Sequence, residues 1–393
     1  MESPRPATVF TGHRSRPKIA VIFGTRPEAV KMAPVVKSFQ AEDRLETIVI
    51  VTAQHREMLD QVMATFNISA DYDLDIMSPG QSLATLTNRV LTGIDGLLQK
   101  ICPDMILVQG DTTTVFASSL AAFYNKVAIG HVEAGLRTDD KYNPFPEEIN
   151  RRLTGTMADI HFAPTTVSRD NLLNEGVPAE RIMVTGNTVI DSLMMVASRS
   201  YSFAGGELSR LEKHPGRVVL ITAHRRENWG APMQRIVRVL ARLAYRYSDT
   251  LFVFPMHRNP EVRRVITGEL ANLSNVMLVE PQDYEPFIHL MKRSHLIITD
   301  SGGVQEEAPS LGIPVLVLRE RTERPEAVEV GTVRLVGTDE ESIFIQSVEL
   351  MDSDEAHRKM SGTANPYGDG KSAERILAGV IQYFGLEVAG KEN

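Results

Sequence analysis

From residue 18 to residue 318 the chain alternates short apolar runs of four to seven residues with segments of helical periodicity, and that alternation leaves few folds open. Apolar runs of this kind suit strands of a parallel sheet, which must be joined by crossover helices. In the first half the predicted strands are 18–23, 47–51, 105–108, 127–130, 161–163 and 182–185; in the second they are 218–222, 251–254, 276–279, 296–299 and 315–318. The pattern restarts after Gly186-Asn187-Thr188. Two Rossmann-like domains are therefore expected, 18–186 and 187–375, behind a flexible tail at 1–17.

The segment around Ser301-Gly302-Gly303 says most about what the second domain holds. It follows the apolar run Leu296-Ile297-Ile298-Thr299 and opens a predicted helix. A helix start presents unpaired N–H groups and the positive end of its dipole, and glycines let a bulky anion approach the backbone. Glu306 and Glu307 follow one turn in, where a carboxylate complements the dipole or accepts from two ribose hydroxyls. A similar unit opens the first domain: a strand, then Gly24-Thr25-Arg26-Pro27-Glu28, with Pro27 suited to a first helical turn and Arg26 and Lys31 bringing positive charge. Both ends read as phosphate-facing.

Composition narrows the partners. With 393 residues, 42% hydrophobic and 23% charged, the chain is long enough for two cores. Its formal charge of −8 lacks the basic excess of a nucleic-acid protein, so positive residues near the loops are read as serving a small anion. Cys102 is the single cysteine, which excludes an internal disulfide and fits a reducing, cytoplasmic setting. Residues 1–17 have no apolar stretch of signal-peptide length, and no run approaches a membrane span. No Gly-x-Gly-x-x-Gly follows a strand and no Walker loop is present, so neither a nicotinamide cofactor nor any other is assigned. Histidines and acids lack metal-ligand spacing, so no metal is assigned.

In open parallel sheets ligands lie beyond the carboxyl ends of the strands. Polar residues there are Gln109 to Thr114, His131 to Arg137, His224 to Asn228, and His257 to Pro260. Each also has a structural reading: Asp111 as a helix cap, His224 as a satisfied core histidine, Arg225 and Arg226 as a solvated face. Carboxylates on the first domain and a phosphate cradle on the second suit chemistry on the sugar of a nucleotide sugar.

Gly24-Thr25-Arg26-Pro27-Glu28, Thr52-Ala53-Gln54-His55-Arg56, Gly110 to Thr114, His131 to Arg137, Pro146-Glu147-Glu148, His224 to Glu227, the glycine segment, and Thr322-Glu323-Arg324-Pro325-Glu326 occur in this order. So ordered, they resemble the non-hydrolysing UDP-N-acetylglucosamine 2-epimerases, from about residue 18 to Asn365–Gly370 and beyond. The resemblance implies a GT-B-like fold with the active site in the interdomain cleft and a C-terminal helix, about 376–393, crossing back onto the first domain. It implies reversible interconversion of UDP-GlcNAc and UDP-ManNAc for polysaccharide synthesis, in a homodimer.

As carried over by that resemblance, Asp111, Glu133 and Glu147 are catalytic carboxylates. His224, Arg26 and Lys31 handle the diphosphate, Ser301, Gly302 and Gly303 hold the phosphates, Glu307 the ribose, and His257 and Arg324 add substrate contacts. Gln54, His55 and Arg56, with His257, are candidate contacts for a second, activating UDP-GlcNAc. Glu57 and Gly80 stand where some relatives carry polar or basic residues. A hydrolysing 2-epimerase, a GT-B glycosyltransferase and a non-catalytic UDP-sugar sensor are the alternatives.

Overall fold

The computed structural model describes residues 16–52, 56–76, 80–322 and 324–386. The first sheet contains β1 (Lys18–Phe23), β2 (Glu46–Val51), β3 (Tyr72–Asp73), β4 (Met105–Gln109), β5 (Ala128–Val132), β6 (Ile160–Ala163) and β7 (Ile182–Val184), in the spatial order 3-2-1-4-5-6-7. The second contains β8 (Val218–Thr222), β9 (Leu251–Pro255), β10 (Val276–Val279), β11 (Leu296–Thr299), β12 (Val315–Val317) and β13 (Val333–Leu335), in the order 10-9-8-11-12-13. Every strand pair is parallel. The central strands are buried along nearly their whole length, as parallel strands covered by helices on both faces must be.

Two edge strands escape the sequence pattern. β3 is two residues long and β13 three, too short to show a period. β5 runs to Val132, so Gly130 and His131 lie inside a strand and not in the loop after it. Arg16 and Pro17, expected in the tail, are engaged: the Arg16 guanidinium donates to the Leu45 carbonyl at 2.7 Å, and the Pro17 carbonyl accepts from Glu46 N at 2.9 Å.

One apolar core runs through both halves. It joins Val21 and Phe23 of the first sheet to Leu220 and Val317 of the second, by way of Ile190 and Leu193 in helix Thr188–Ala197 and Ile288 in helix Tyr284–Arg293. The last described helix, Ser372–Tyr383, begins earlier than expected and packs on helices Arg26–Gln40 and Thr188–Ala197 through Ile376 and Val380. Separate cores fill the outer faces of the two sheets. Among the described residues no helix is long and apolar enough to cross a membrane.

Strand order reverses between β1 and β4 in the first sheet and between β8 and β11 in the second. At such a switch point the loops after the two strands diverge and leave a crevice. Those four loops carry Gly24 to Arg26, Gly110 to Thr112, Ala223 to Arg225, and Asp300 to Ser301.

Candidate active site

The first pair of loops is bonded together by Glu28. Thr25 caps helix Arg26–Gln40 in a capping box, and the Glu28 carboxylate accepts from Gly24 N at 3.1 Å and Thr25 N at 2.7 Å. Its other oxygen accepts from the Thr112 hydroxyl at 2.7 Å, tying the loop after β1 to the loop after β4. Gly24 is needed here because a Cβ would stand 2.1 Å from Thr52 Oγ1 and 2.9 Å from Thr114 Oγ1. Thr112, not Asp111, caps helix Thr113–Tyr124. The cap reading of Asp111 therefore falls.

Asp111 is held from helix Glu147–Met157. Arg151 Nη2 donates to its carboxylate at 2.5 Å and Asn150 Nδ2 to its carbonyl at 2.9 Å. The preceding Gly110 carbonyl accepts from His131 Nε2 at 2.7 Å. Burial pushes this imidazole down to about 3, so it is neutral and donates from a single tautomer.

Glu133 follows β5 with φ of 61°, a left-handed conformation that a residue with a Cβ adopts only when its surroundings hold it. Lys31 Nζ lies 2.6 Å from both of its oxygens, Gln109 Nε2 donates to Oε2, and Asn187 Nδ2 approaches Oε1 at 3.4 Å. Burial raises the Glu133 carboxyl above its ordinary range; Lys31 opposes the rise while Glu306 and Asp111 add to it. Burial pushes Lys31 down, but Glu133 and Glu306 outweigh it and keep the ammonium charged.

In the second half, fully buried Asp300 organises the loop after β8. It accepts from His224 N, Arg225 N and Asn228 Nδ2, each at 2.9 Å, and stands 3.3 Å from His224 Nδ1. Burial lowers the His224 pKa and Asp300 opposes it. His257, exposed, stacks beside His224 with ring centres 6.2 Å apart.

Ser301 precedes helix Gly302–Glu307, so both glycines lie in its first turn rather than in a loop ahead of it. Their spaces differ. A Cβ on Gly302 would fall 2.4 Å from Arg324, whose guanidinium covers it, whereas one on Gly303 would meet nothing nearer than 3.9 Å. Gly303 is the open approach to the backbone. Arg324 Nε donates to Glu306 Oε1 at 2.5 Å. Glu307 accepts from the Tyr284 hydroxyl at 3.2 Å, and burial, with Glu306 second, pushes its carboxyl up to about 8 against the opposing charges of Lys31 and Arg26.

Charge interactions and contacts thus join Arg26, Lys31, Asp111 and Glu133 of the first half to Glu306, Glu307 and Arg324 of the second, with Gly302 and Gly303 beside Arg324 and Glu307, while His224 stands at the end of β8 beside Asp300 and His257. Glu147 is half-buried in the first turn of its helix, one turn before Arg151 and so on the face that holds Asp111, but no hydrogen bond or ion pair joins it to Asp111 or Glu133 among the described residues. Gln54 and His55 lie outside the described residues, and Arg56 begins helix Arg56–Phe66. Asn187, Tyr284 and Arg151 were not singled out as site residues, and Glu306 was read beside Glu307 only as a carboxylate of the first helical turn. Asn187 sits where the strand–helix pattern restarts, which was a usable signal; Arg151 and Tyr284 lie within helices, beyond the reach of a strand-end rule.

The sequence family described as UDP-N-acetylglucosamine 2-epimerase matches residues 37–381. The chain is 51% identical over 371 residues to the UDP-N-acetylglucosamine 2-epimerase of Salmonella typhimurium, covering 93% of this chain and 99% of that protein. It superposes with a TM-score of 0.82, at 48% identity, on the crystal structure of UDP-GlcNAc 2-epimerase from Neisseria meningitidis bound to UDP-GlcNAc, covering 93% of this chain and 100% of that one. A glycosyltransferase from Rickettsia africae shares the fold, with a TM-score of 0.62 at 14% identity over 94% of this chain and 99% of that one.

Proposed function

The chain belongs to the UDP-N-acetylglucosamine 2-epimerase family, and from that premise we propose that it interconverts UDP-GlcNAc and UDP-ManNAc without releasing free sugar. The observation that carries this reading is the meeting of Glu133 and Lys31 from the first sheet with Glu306 and Arg324 from the second, beside the open backbone at Gly303. A carboxylate removes the C2 proton, the C–H electron pair forms the C1=C2 bond of 2-acetamidoglucal, and the C1–oxygen pair leaves with UDP. Re-addition of UDP at C1 is accompanied by protonation of C2 on the opposite face, which requires an acid or base on each side. Asp111, Glu133 and Glu147 supply these groups. Arg26, Lys31 and His224 meet the charge that develops on the diphosphate, Ser301 to Gly303 hold its oxygens, and Glu307 takes the ribose. Arg324 and His257 add contacts.

The resemblance extends the reading to residues 18–186 and 187–375 as the two moving lobes, to a cytoplasmic homodimer supplying UDP-ManNAc for polysaccharide, and to activation by a second UDP-GlcNAc. Exposed Tyr142, Phe145, Ile149 and Leu153 offer an apolar face for the dimer.

A proton NMR time course with UDP-GlcNAc in deuterium oxide is expected to show UDP-ManNAc forming with deuterium at C2. Protium retained at C2 of the product would exclude elimination, and free N-acetylmannosamine would identify a hydrolysing enzyme.

A titration tests the ribose role of Glu307. Burial pushes its carboxyl up to about 8, so below that pH it holds a proton. Two ribose hydroxyls donating to it favour the ionised form, so binding releases that proton. Affinity for UDP-GlcNAc, whose diphosphate has no titration in this range, should rise from pH 6 towards 8 by up to about tenfold per pH unit and then level. Glu307→Gln should flatten the curve; a curve equally steep in the variant would remove Glu307 from the binding site.

A further inference from the structure

Between Glu133 of the first half and Glu306 of the second stands one amide. Asn187 Nδ2 lies 3.4 Å from Glu133 Oε1 and 3.4 Å from Glu306 Oε2. Its orientation is determined by the opposite end of the group, because Asn187 Oδ1 accepts from Val189 N at 3.1 Å and caps helix Thr188–Ala197. The backbone N of Asn187 donates to the Tyr367 carbonyl at 2.7 Å. Glu306 is equally constrained: Arg324 occupies Oε1, and its carbonyl accepts from Asn365 Nδ2 at 2.7 Å. Both side chains are buried.

We propose that Glu306 is a positioning residue for the epimerisation, whose charge, set across Asn187 from Glu133, ties the protonation of that catalytic carboxyl to contact between the two halves of the protein. The proposal rests on the catalytic reading of Glu133. Two carboxylates separated by one amide repel each other when both are ionised, so the presence of Glu306 favours a proton on Glu133. Glu133 is faced by Lys31 from helix Arg26–Gln40, Gln109 from β4, Asp111 from the loop after β4, and Asn187. Glu306 is faced by Arg324, Lys31, Glu307 and Tyr367. Arg324 is paired with Glu306, while Lys31 is divided between Glu133 and Glu306 and so does not cancel their mutual repulsion. When the lobes separate, Glu306 withdraws and Glu133 ionises more readily. When they close, Glu133 regains the tendency to hold the proton that C2 must receive.

The test compares the wild type with Glu306→Gln and Asn187→Ser, the serine retaining a helix cap while removing the bridging amide. At saturating UDP-GlcNAc, the limb of the kcat–pH profile that Glu133 controls should move to lower pH by about one unit in Glu306→Gln, which removes the facing charge, and to higher pH in Asn187→Ser, which removes a donor that favours the ionised form. The direction is the same whether Glu133 acts as base or acid in the direction measured. A Glu306→Gln profile reduced in height but unmoved in pH would overturn the proposal and leave Glu306 a structural ion-pair residue. Carboxyl carbon-13 NMR of the free protein, with Glu133→Gln assigning the signal, reads the same shift without turnover. An inactive wild type would count against the epimerase reading alone, while an unshifted Glu133 signal would count against Glu306. If Glu306→Gln fails to fold, Glu306→Asp, which keeps the charge but draws it back by one methylene, decides by a smaller shift to lower pH or by none.

Discussion

Replacing Glu133 by glutamine is expected to lower turnover by about 100-fold or more while UDP still binds, the usual scale for losing a general acid or base. The substitution keeps the side-chain volume and the acceptor for Lys31, but removes the charge that now neutralises the Lys31 ammonium at 2.6 Å. Lys31 is then left with Glu306 as its compensating carboxylate, and its charge becomes more available to a diphosphate. UDP affinity should accordingly be unchanged or higher as kcat falls, a split that simple unfolding cannot produce. Asp111→Asn should lose a similar factor, with Arg151 still holding the side chain through the remaining oxygen. Glu147→Gln should do the same if its placement on the Arg151 face brings it to the sugar. Steady-state kinetics with calorimetry of UDP binding measures both quantities. Near-normal turnover in any of the three variants would withdraw that residue from the chemistry.

The second large effect is on stability. Gly135 has φ of 90°, and a Cβ added there would stand 2.2 Å from the Ser168 carbonyl oxygen and 2.8 Å from its carbon. Both atoms belong to backbone, inside a helix capped by Thr165, so neither can swing aside as a flexible side chain could. Gly135→Ala combines an unfavourable backbone conformation with a clash and should cost about 3–5 kcal/mol of unfolding free energy. Gly96 offers the contrast: it lies within helix Leu83–Ile101, and a Cβ there meets nothing within 4 Å. Gly96→Ala should stabilise by about 0.5–1 kcal/mol through helix propensity. Chemical denaturation of the two variants beside the wild type checks this. A Gly135→Ala protein within 1 kcal/mol of wild type would mean that the chain after Glu133 yields easily. The strained φ of Glu133 itself would then need no rigid support.

The parallel sheets and the location of the crevice were legible in the sequence because they depend on local regularities. Apolar runs such as Ile19 to Phe23 and Leu296 to Thr299 are buried almost throughout, a demand that repeats at every central strand and so leaves a pattern. Glycine and capping residues at strand ends mark the loops of the switch points, which is why Arg26, Asp111, His224 and Ser301 could be named from spacing and resemblance. Strands of two and three residues, β3 and β13, carried no such pattern and were missed.

What the sequence by itself determined, then, is which segments become the central strands and which residue types stand at their carboxyl ends, since both follow from neighbours along the chain. Only the tertiary structure decided the charge state of those residues. Lys31 and Glu133 are 102 positions apart, and Asn187 and Glu306 are 119 apart. Whether Lys31 faces solvent, a diphosphate or a carboxylate depends on how two sheets stack around the shared core of Ile190, Leu193 and Ile288. Burial and the distance between charges govern protonation, and both are properties of the folded arrangement that no spacing along the chain encodes.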